Sequence, residues 1–306
     1  MCIFAPVKII NIMSVKSTKI LVPIGFSEQS IIALNQACIF AKLDNAKIFL
    51  LSVIEERSAM DSLFLDDNSH ELKKMVHNKL EELAQKTSKQ HSIEMEIMVA
   101  QGKIYNKINE TAEMVDADLI IMGTNGSPKG RIKRFIGSNA ERVVRLSKCP
   151  VMTIKGDTIK GKCENIILPL DTEKETKEKV TYALNYARKW GAKIHLVSVL
   201  LRENSSIRKK LEMNLNQVEN FVRNAGVSCS SKLIEGDNKQ NLSDFIFDFQ
   251  KNYDNDIFMI MTKKEELTFS KNISVTARYI INNSPIPVVS IRPKERKHLT
   301  GPTTAF

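Results

Sequence analysis

The sequence predicts an α/β protein built twice over, as two tandem open five-stranded parallel sheets with helices on both faces. Three observations carry that expectation. Short apolar runs alternate with longer amphipathic stretches along the whole chain, the pattern of βαβ units around a parallel sheet. Four segments of the first half return in the second in the same order: KILVPI from Lys19 as NIILPLD from Asn165, KIFLLSVI from Lys47 as KIHLVSVL from Lys193, DADLIIM from Asp116 as DNDIFMIM from Asp254, and CPVMTIK from Cys149 as IPVVSIR from Ile286. A chain of 306 residues is also long enough for two domains that each bury a core.

Taken in order, the first-half strands are expected at Lys19 to Ile24, Ala46 to Val53, Ile93 to Val99, Asp118 to Met122 and Val151 to Ile154. Those of the second half are expected at Asn165 to Leu170, Lys193 to Val199, Val227 to Ile234, Asp256 to Met261 and Val288 to Ile291. Between them, Ile31, Leu34, Cys38 and Ala41 form one helical stripe, and Leu72, Met75, Val76, Leu80 and Leu83 another, both read as core faces. Thr172 with Glu175 has capping-box spacing at the start of a second-half helix. The expected organisation is a leader at residues 1–16, a first domain at 17–156, a linker at 157–162 within GDTIKGK, a second domain at 163–293 and a mobile tail at 294–306. MSVKSTKILVP from Met13 is a compact opening for a domain, which makes Met13 an alternative translation start.

Composition narrows the function. Hydrophobic residues make up 42% and charged residues 26%, the balance of a soluble globular chain, and no apolar run reaches the ~18 residues of a membrane span. The first residues lack the basic start and cleavage site of a signal peptide. Five scattered cysteines without a C-x-x-C pair fit a reduced, cytoplasmic compartment and give neither a disulfide framework nor a zinc site. His70 and His77 can share a helix face, but local spacing supplies no third ligand, so no metal is expected. The formal charge of +10 is concentrated near Lys129, Arg131, Lys133, Arg134, Arg142, Arg145, Lys148 and Lys155, against Glu141 alone. Such a field suits a polyanionic ligand, whereas nucleic acid is disfavoured because stacking aromatics are reduced to Phe135. No Ser/His/Asp, Cys/His or paired-carboxylate set is visible, and Asp116 and Asp118 fall at the opposite end of their strand from the next feature.

That feature is MGTNGSPKGRIKRFIGSNAERVV from Met122, with glycines at 123, 126, 130 and 137 between a strand and a helix opening at Ser138. Glycine lets backbone N–H groups approach a phosphate, and a helix N-terminus adds free N–H groups and partial positive charge. Ser138 with Glu141 also has capping-box spacing, so Ser138 is expected to cap this helix whether or not it meets a ligand. Lys129 and Arg131 in the same loop are candidates to reach terminal phosphates, against the solvated surface position usual for such side chains.

Through LVPIGFSEQSIIAL at Leu21, LLSVIEE at Leu50, MGTNG and IGSNAERVVRLSKCPVMTIK, the chain resembles the universal stress protein family over nearly everything from Ser17 to Arg292, as two tandem domains. The resemblance implies a Rossmann-like sheet and, in one branch of the family, ATP at the carboxyl ends of the strands, in keeping with the rule for open α/β sheets. That branch carries G-x2-G-x9-G-S/T. Gly123 and Gly126 match its first glycines and Gly137 with Ser138 its end, across a spacer one residue longer. The nucleotide-contacting residues it implies are Pro23, Gly25, Val53, Met122, Gly123, Gly126, Gly137, Ser138 and Asn139, with ATP or another adenine nucleotide, and Mg with it, as the ligand. Gly25 departs from the family, which places an aspartate two residues after the proline; losing a charge-assisted contact to a hydroxyl costs roughly 1.5–3 kcal/mol. In the second half Asp171 is present, but TKKEELTFSKNI from Thr262 contains no glycine, so that domain is expected to bind no nucleotide. The expectation is a regulatory, stress-response binding module whose two domains form a pseudo-dimer within the chain through the final strands, with a homodimer and an unidentified protein partner as further partners. A nucleotide-free interaction scaffold and a slow ATPase are the alternatives.

Overall fold

The computed structural model describes residues 17–55, 69–124, 137–155, 161–171, 176–237, 240–254, 256–262 and 273–293. The first half runs β1 Lys19–Pro23, α1 Glu28–Asp44, β2 Lys47–Ile54, α2 Ser69–His91, β3 Met95–Gln101, α3 Ile104–Met114, β4 Leu119–Gly123, α4 Ser138–Leu146 and β5 Val151–Ile154. The second runs β6 Asn165–Pro169, α5 Thr176–Trp190, β7 Lys193–Leu200, α6 Ser205–Asn224, β8 Cys229–Glu235, α7 Leu242–Gln250, β9 Asp256–Met261, α8 Val275–Asn283 and β10 Val288–Ile291. The expected Thr172–Glu175 cap lies outside the described residues.

All ten strands join one sheet in the order β3-β2-β1-β4-β5-β10-β9-β6-β7-β8. Within each half the pairing is parallel, as expected; at the centre β5 and β10 pair antiparallel, Val289 opposite Met152. Both faces are covered. In β1 the side chains of Ile20 and Val22 enter one core and Leu21 the other, the period of two that a strand imposes. One core takes Ala33 and Phe40 of α1, Leu80 of α2, Ala183 and Trp190 of α5 and Val222 of α6. The other takes Ile108 of α3, Val143 of α4, Ile246 of α7 and Ile280 of α8. Each helical layer therefore runs across both halves of the sheet. The backbone pattern repeats too: Ile24 N donates to Leu51 O and Leu170 N to Val197 O, while Thr124 N donates to Ile154 O and Thr262 N to Ile291 O.

Two expectations are corrected. Leu72 and Met75 are not core residues but 46% and 68% exposed, and of the expected stripe only Leu80 is fully buried. The cause is length, since 23 helical residues span about 35 Å and the seven of β3 only about 23 Å. Strands β3 and β8 also begin two residues later than expected. Ile93 and Val227 are buried as strand residues would be, yet their N–H groups turn back to the preceding helix, onto Ser88 O and Val222 O.

Side chains cross between the halves. Trp190 lies 4.6 Å from Phe40 and stacks on Tyr186 at 4.5 Å. Lys189 reaches Asp44 at 3.6 Å and Thr18 Oγ1 at 3.0 Å. On the other face Arg278 pairs with Glu141 at 2.8 Å and Arg292 donates to Leu146 O at 3.1 Å. Trp190 is the chain's single tryptophan, so its emission reports on this contact. Phe40→Ala is expected to lower stability by about 3–5 kcal/mol and shift that emission to the red; an unchanged urea midpoint and spectrum would contradict the packing described.

Candidate functional site

The carboxyl ends of β1, β2 and β4 open into a cavity of about 480 Å³. Its apolar side is Pro23 at the end of β1 and Ile24 after it, Leu51 and Val53 of β2, Ile104 and Ile108 of α3, and Met122 of β4. Its polar side is Ser27, Gln29 and Ser30 at the start of α1, Thr124, and Gly137, Ser138 and Asn139 at the start of α4. The structure thus brings Pro23, Gly25, Val53, Met122, Gly123, Gly137, Ser138 and Asn139 into one cavity. Gly126, Lys129 and Arg131 lie outside the described residues.

The first turn of α1 is tied down locally: Ser27 Oγ accepts from Ser30 N at 3.3 Å, and Ser30 Oγ donates to Ser27 O at 2.7 Å. The turn into it puts the left-handed φ of 55° on Phe26, not on Gly25. A Cβ at Gly25 would meet nothing within 4 Å, so neither conformation nor packing demands glycine there. Gly123 is the opposite case. A Cβ on it would stand 2.8 Å from Gln29 O, so this glycine is required by the approach of α1 to the end of β4, independently of any ligand.

At α4 the expectation is corrected. Gly137, with φ −63° and ψ 147°, is the N-cap, and Ser138 is the first helical residue, not the cap. Glu141 N accordingly donates to Gly137 O at 3.0 Å, and Gly137 N to Thr124 O at 2.7 Å. The chain comes so close to Thr124 O that a Cβ at 137 would stand 2.9 Å from it. A glycine cap has no side chain with which to satisfy the N–H groups of the first turn, a turn whose residues line the cavity. The equivalent helix α8 is finished differently: Ser274, whose N donates to Thr262 O, caps it by accepting from Ala277 N at 3.2 Å.

Several of the basic side chains have structural work. Arg142 stacks over Tyr105 at 4.7 Å, Lys148 pairs with Glu113 at 2.5 Å, and Lys155 donates to Asn282 O, its ammonium pulled below its ordinary pKa by burial. None of the described lining side chains is ionisable. The cavity therefore offers N–H groups, hydroxyls and amides beside an apolar wall, a surface suited to a ligand with a flat apolar part and an anionic part. Motif reading missed Ser27, Gln29, Ser30 and Thr124, which lie inside the quoted motifs without being singled out, and Ile104 and Ile108, whose i, i+4 spacing marks only an ordinary helix face.

Among the described residues Cys38, Cys149, Cys163 and Cys229 are free thiols, no group of His, Cys, Asp or Glu is arranged to hold a metal, and no helix is long and apolar enough to cross a membrane.

Residues 16–155 match the profile of the universal stress protein family. One universal stress protein of Methanocaldococcus jannaschii is 33% identical over 162 residues, covering 47% of this chain and 98% of that protein. A second from the same organism is 29% identical over 140 residues, covering 45% and 81%. The crystal structure of a universal stress protein from Archaeoglobus fulgidus superposes with a TM-score of 0.72 at 22% identity, covering 90% of this chain and 99% of that one, a likeness of fold.

The two glycines separate under mutation. Gly123→Ala is expected to lower stability by about 1–3 kcal/mol, while Gly25→Ala changes it by less than about 0.5 kcal/mol. Urea denaturation of both variants measures the difference, and equal midpoints would refute it.

Proposed function

The chain belongs to the universal stress protein family, and we propose that it works as a cytoplasmic stress-response module whose first domain, residues 17–156, holds an adenine nucleotide. The observation that carries the reading is the start of α4: a glycine-capped N-terminus opens its N–H groups onto a cavity with an apolar wall. In this pose the phosphates lie at Gly137, Ser138 and Asn139, and the nucleoside lies along Pro23, Gly25, Val53 and Met122. The lining suits the group, with an apolar wall for a base and the start of a helix without a capping side chain for an anion. Mg²⁺ accompanying ATP would be held by the phosphates themselves, since no described lining side chain is a carboxylate. Residues 163–293 form the second domain of the pseudo-dimer, with its corresponding helix closed by Ser274.

Calorimetry with ATP, ADP and AMP tests this reading directly. Saturable binding is expected, and no heat at millimolar nucleotide would overturn it. The open space at Gly25 permits a sharper test. Gly25→Asp is expected to fold normally and to tighten ATP binding through a charge-assisted contact of roughly 1.5–3 kcal/mol, about one to two orders of magnitude in Kd; unchanged or weaker binding would remove Gly25 from the nucleoside side.

Glu141, in the first turn of α4, repels an anion at that helix end and is neutralised by Arg278 at 2.8 Å. Arg278→Ala is expected to weaken ATP roughly two- to five-fold, AMP less, with Glu141→Gln in the double variant restoring ATP. Equal loss for both nucleotides, or no rescue, would contradict this electrostatic role.

A further inference from the structure

The second half has a cavity of its own, about 290 Å³, at the carboxyl ends of β6, β7 and β9. Lys179 and Asp171, at the positions of Ala33 and Gly25, give it one side chain of each charge, so it points to no ligand class. The outer edge of the first half is more specific. Strand β3 ends the sheet, with Ile48 N donating to Glu94 O at one limit of its pairing and Gly102 N to Ile54 O at the other. Parallel pairing uses every second residue of a strand, so Glu94, Glu96, Met98, Ala100 and Gly102 face β2. Met95, Ile97, Val99 and Gln101 turn their N–H and C=O groups outward, where no described strand meets them. Between Glu96 and Gln101 this edge is uncharged and half-buried, whereas β8, the opposite edge, is guarded by the exposed Lys232.

A groove of about 390 Å³ separates this edge from α2, lined by His70, Lys73, Lys74 and His77 of the helix and by residues 99–101 of the strand. No carboxylate is among its described lining. The charge follows from the helix outrunning the sheet. Leu80, Ala84 and Thr87 make the buried stripe of α2, and the same stripe continued three and seven positions back from Leu80 reads His77 and Lys73, with Lys74 and His70 beside them. His77 lies 3.9 Å from Glu81, while His70, Lys73 and Lys74 form no ion pair with a described residue.

We propose that this edge docks an extended acidic peptide of a partner protein, which adds to β3 as a further strand. Outward N–H and C=O groups supply the pairing, and alternate side chains supply the selectivity. Val99 packs toward the α2 layer and Met98 and Ala100 toward the α3 layer, so an added strand sends every second side chain to each face. Carboxylates therefore belong on the α2 face, opposite Lys73 and Lys74, and apolar side chains on the face of Met98 and Ala100. A second copy of the chain fits less well, because the carboxylates its own β3 edge would bring, Glu94 and Glu96, are already held by Lys47 at 2.6 and 3.0 Å. The inference is independent of the nucleotide reading, since it concerns a different surface and a different class of partner.

The test is fluorescence anisotropy of the full chain with a labelled octapeptide of alternating glutamate and valine. Saturable binding is expected, at least tenfold tighter than that of the octapeptide with lysine in place of glutamate. Lys73→Glu combined with Lys74→Glu should weaken it at least tenfold. Val99→Pro removes an N–H that β2 does not use, so the sheet should survive and the peptide should lose at least tenfold. If Val99→Pro does not fold, the acidic octapeptide N-methylated at every residue, which keeps the charge and removes the pairing N–H groups, decides the matter on the unaltered chain: it should not bind. Absence of saturation at millimolar peptide, parity between acidic and basic peptides, indifference to the charge reversal, or undiminished binding of the N-methylated peptide would overturn the proposal. A dimer in light scattering that Val99→Pro dissociates, with no peptide binding, would also overturn it and assign the edge to a second copy.

Discussion

A five-stranded parallel sheet that ends on β5 would present a row of unpaired N–H and C=O groups on a strand, Val151–Ile154, whose every residue is buried and apolar or nearly so. The second half ends on the same problem in Val288–Ile291. Pairing the two strands removes both edges at once, and the rest of the architecture depends on the direction of that pairing. Being antiparallel, it turns the carboxyl ends of the two halves to opposite edges of the sheet, so the two cavities face apart and cannot share a ligand. It also sets α1 beside α5, where Phe40, Trp190 and Tyr186 interlock, and brings Arg278 of α8 to Glu141 of α4. These contacts bury aromatic area on one face and place a partly exposed ion pair on the other, so stability resides chiefly in the first and electrostatic tuning in the second.

The two cavities share a backbone plan and differ at a handful of side chains. Equivalent hydrogen bonds position Gly137 and Ser274 over the same strand end, 2.7 and 2.8 Å from the carbonyls of Thr124 and Thr262. A single hydroxyl then sets the two helix ends apart. Without one at 137 the first helical turn needs acceptors from outside the helix; with the hydroxyl of Ser274 an N–H is satisfied from within. Lys179 and Asp171 give the second cavity one side chain of each charge where the first has an alanine and a glycine.

The α/β architecture was legible because buried parallel strands are short apolar runs and four of the five in each half recurred in order, and the apolar runs also located β5, β9 and β10 to the residue. Family membership was legible from the glycine motif and its flanks. What escaped was three-dimensional. Ile93 and Val227 read as strand because burial, not hydrogen bonding, shapes composition. Leu72 and Met75 sit at core spacing on a helix that outruns the sheet it covers. Ser138 satisfied a capping pattern that the chain begins one residue earlier, where the close approach to Thr124 O requires glycine. Lys179 carried no motif at all, since a lysine on an amphipathic helix is ordinarily solvated and only the cavity behind it gives the position meaning.

Glycine content alone is therefore a poor measure of a phosphate site. Gly123 would be retained in a protein that bound nothing, because α1 lies against it through Gln29. Gly137 serves both masters, packing on Thr124 and leaving a helix end open. Gly25 answers to neither, with ordinary backbone and empty space around its missing Cβ. A residue that the fold does not constrain is where ligand preference is set most freely, because substitution there changes chemistry without a cost in packing. Substitution at Gly25 therefore changes the lining of the first cavity without a packing cost, and the second cavity carries Asp171 at the matching position beside a helix end closed by Ser274.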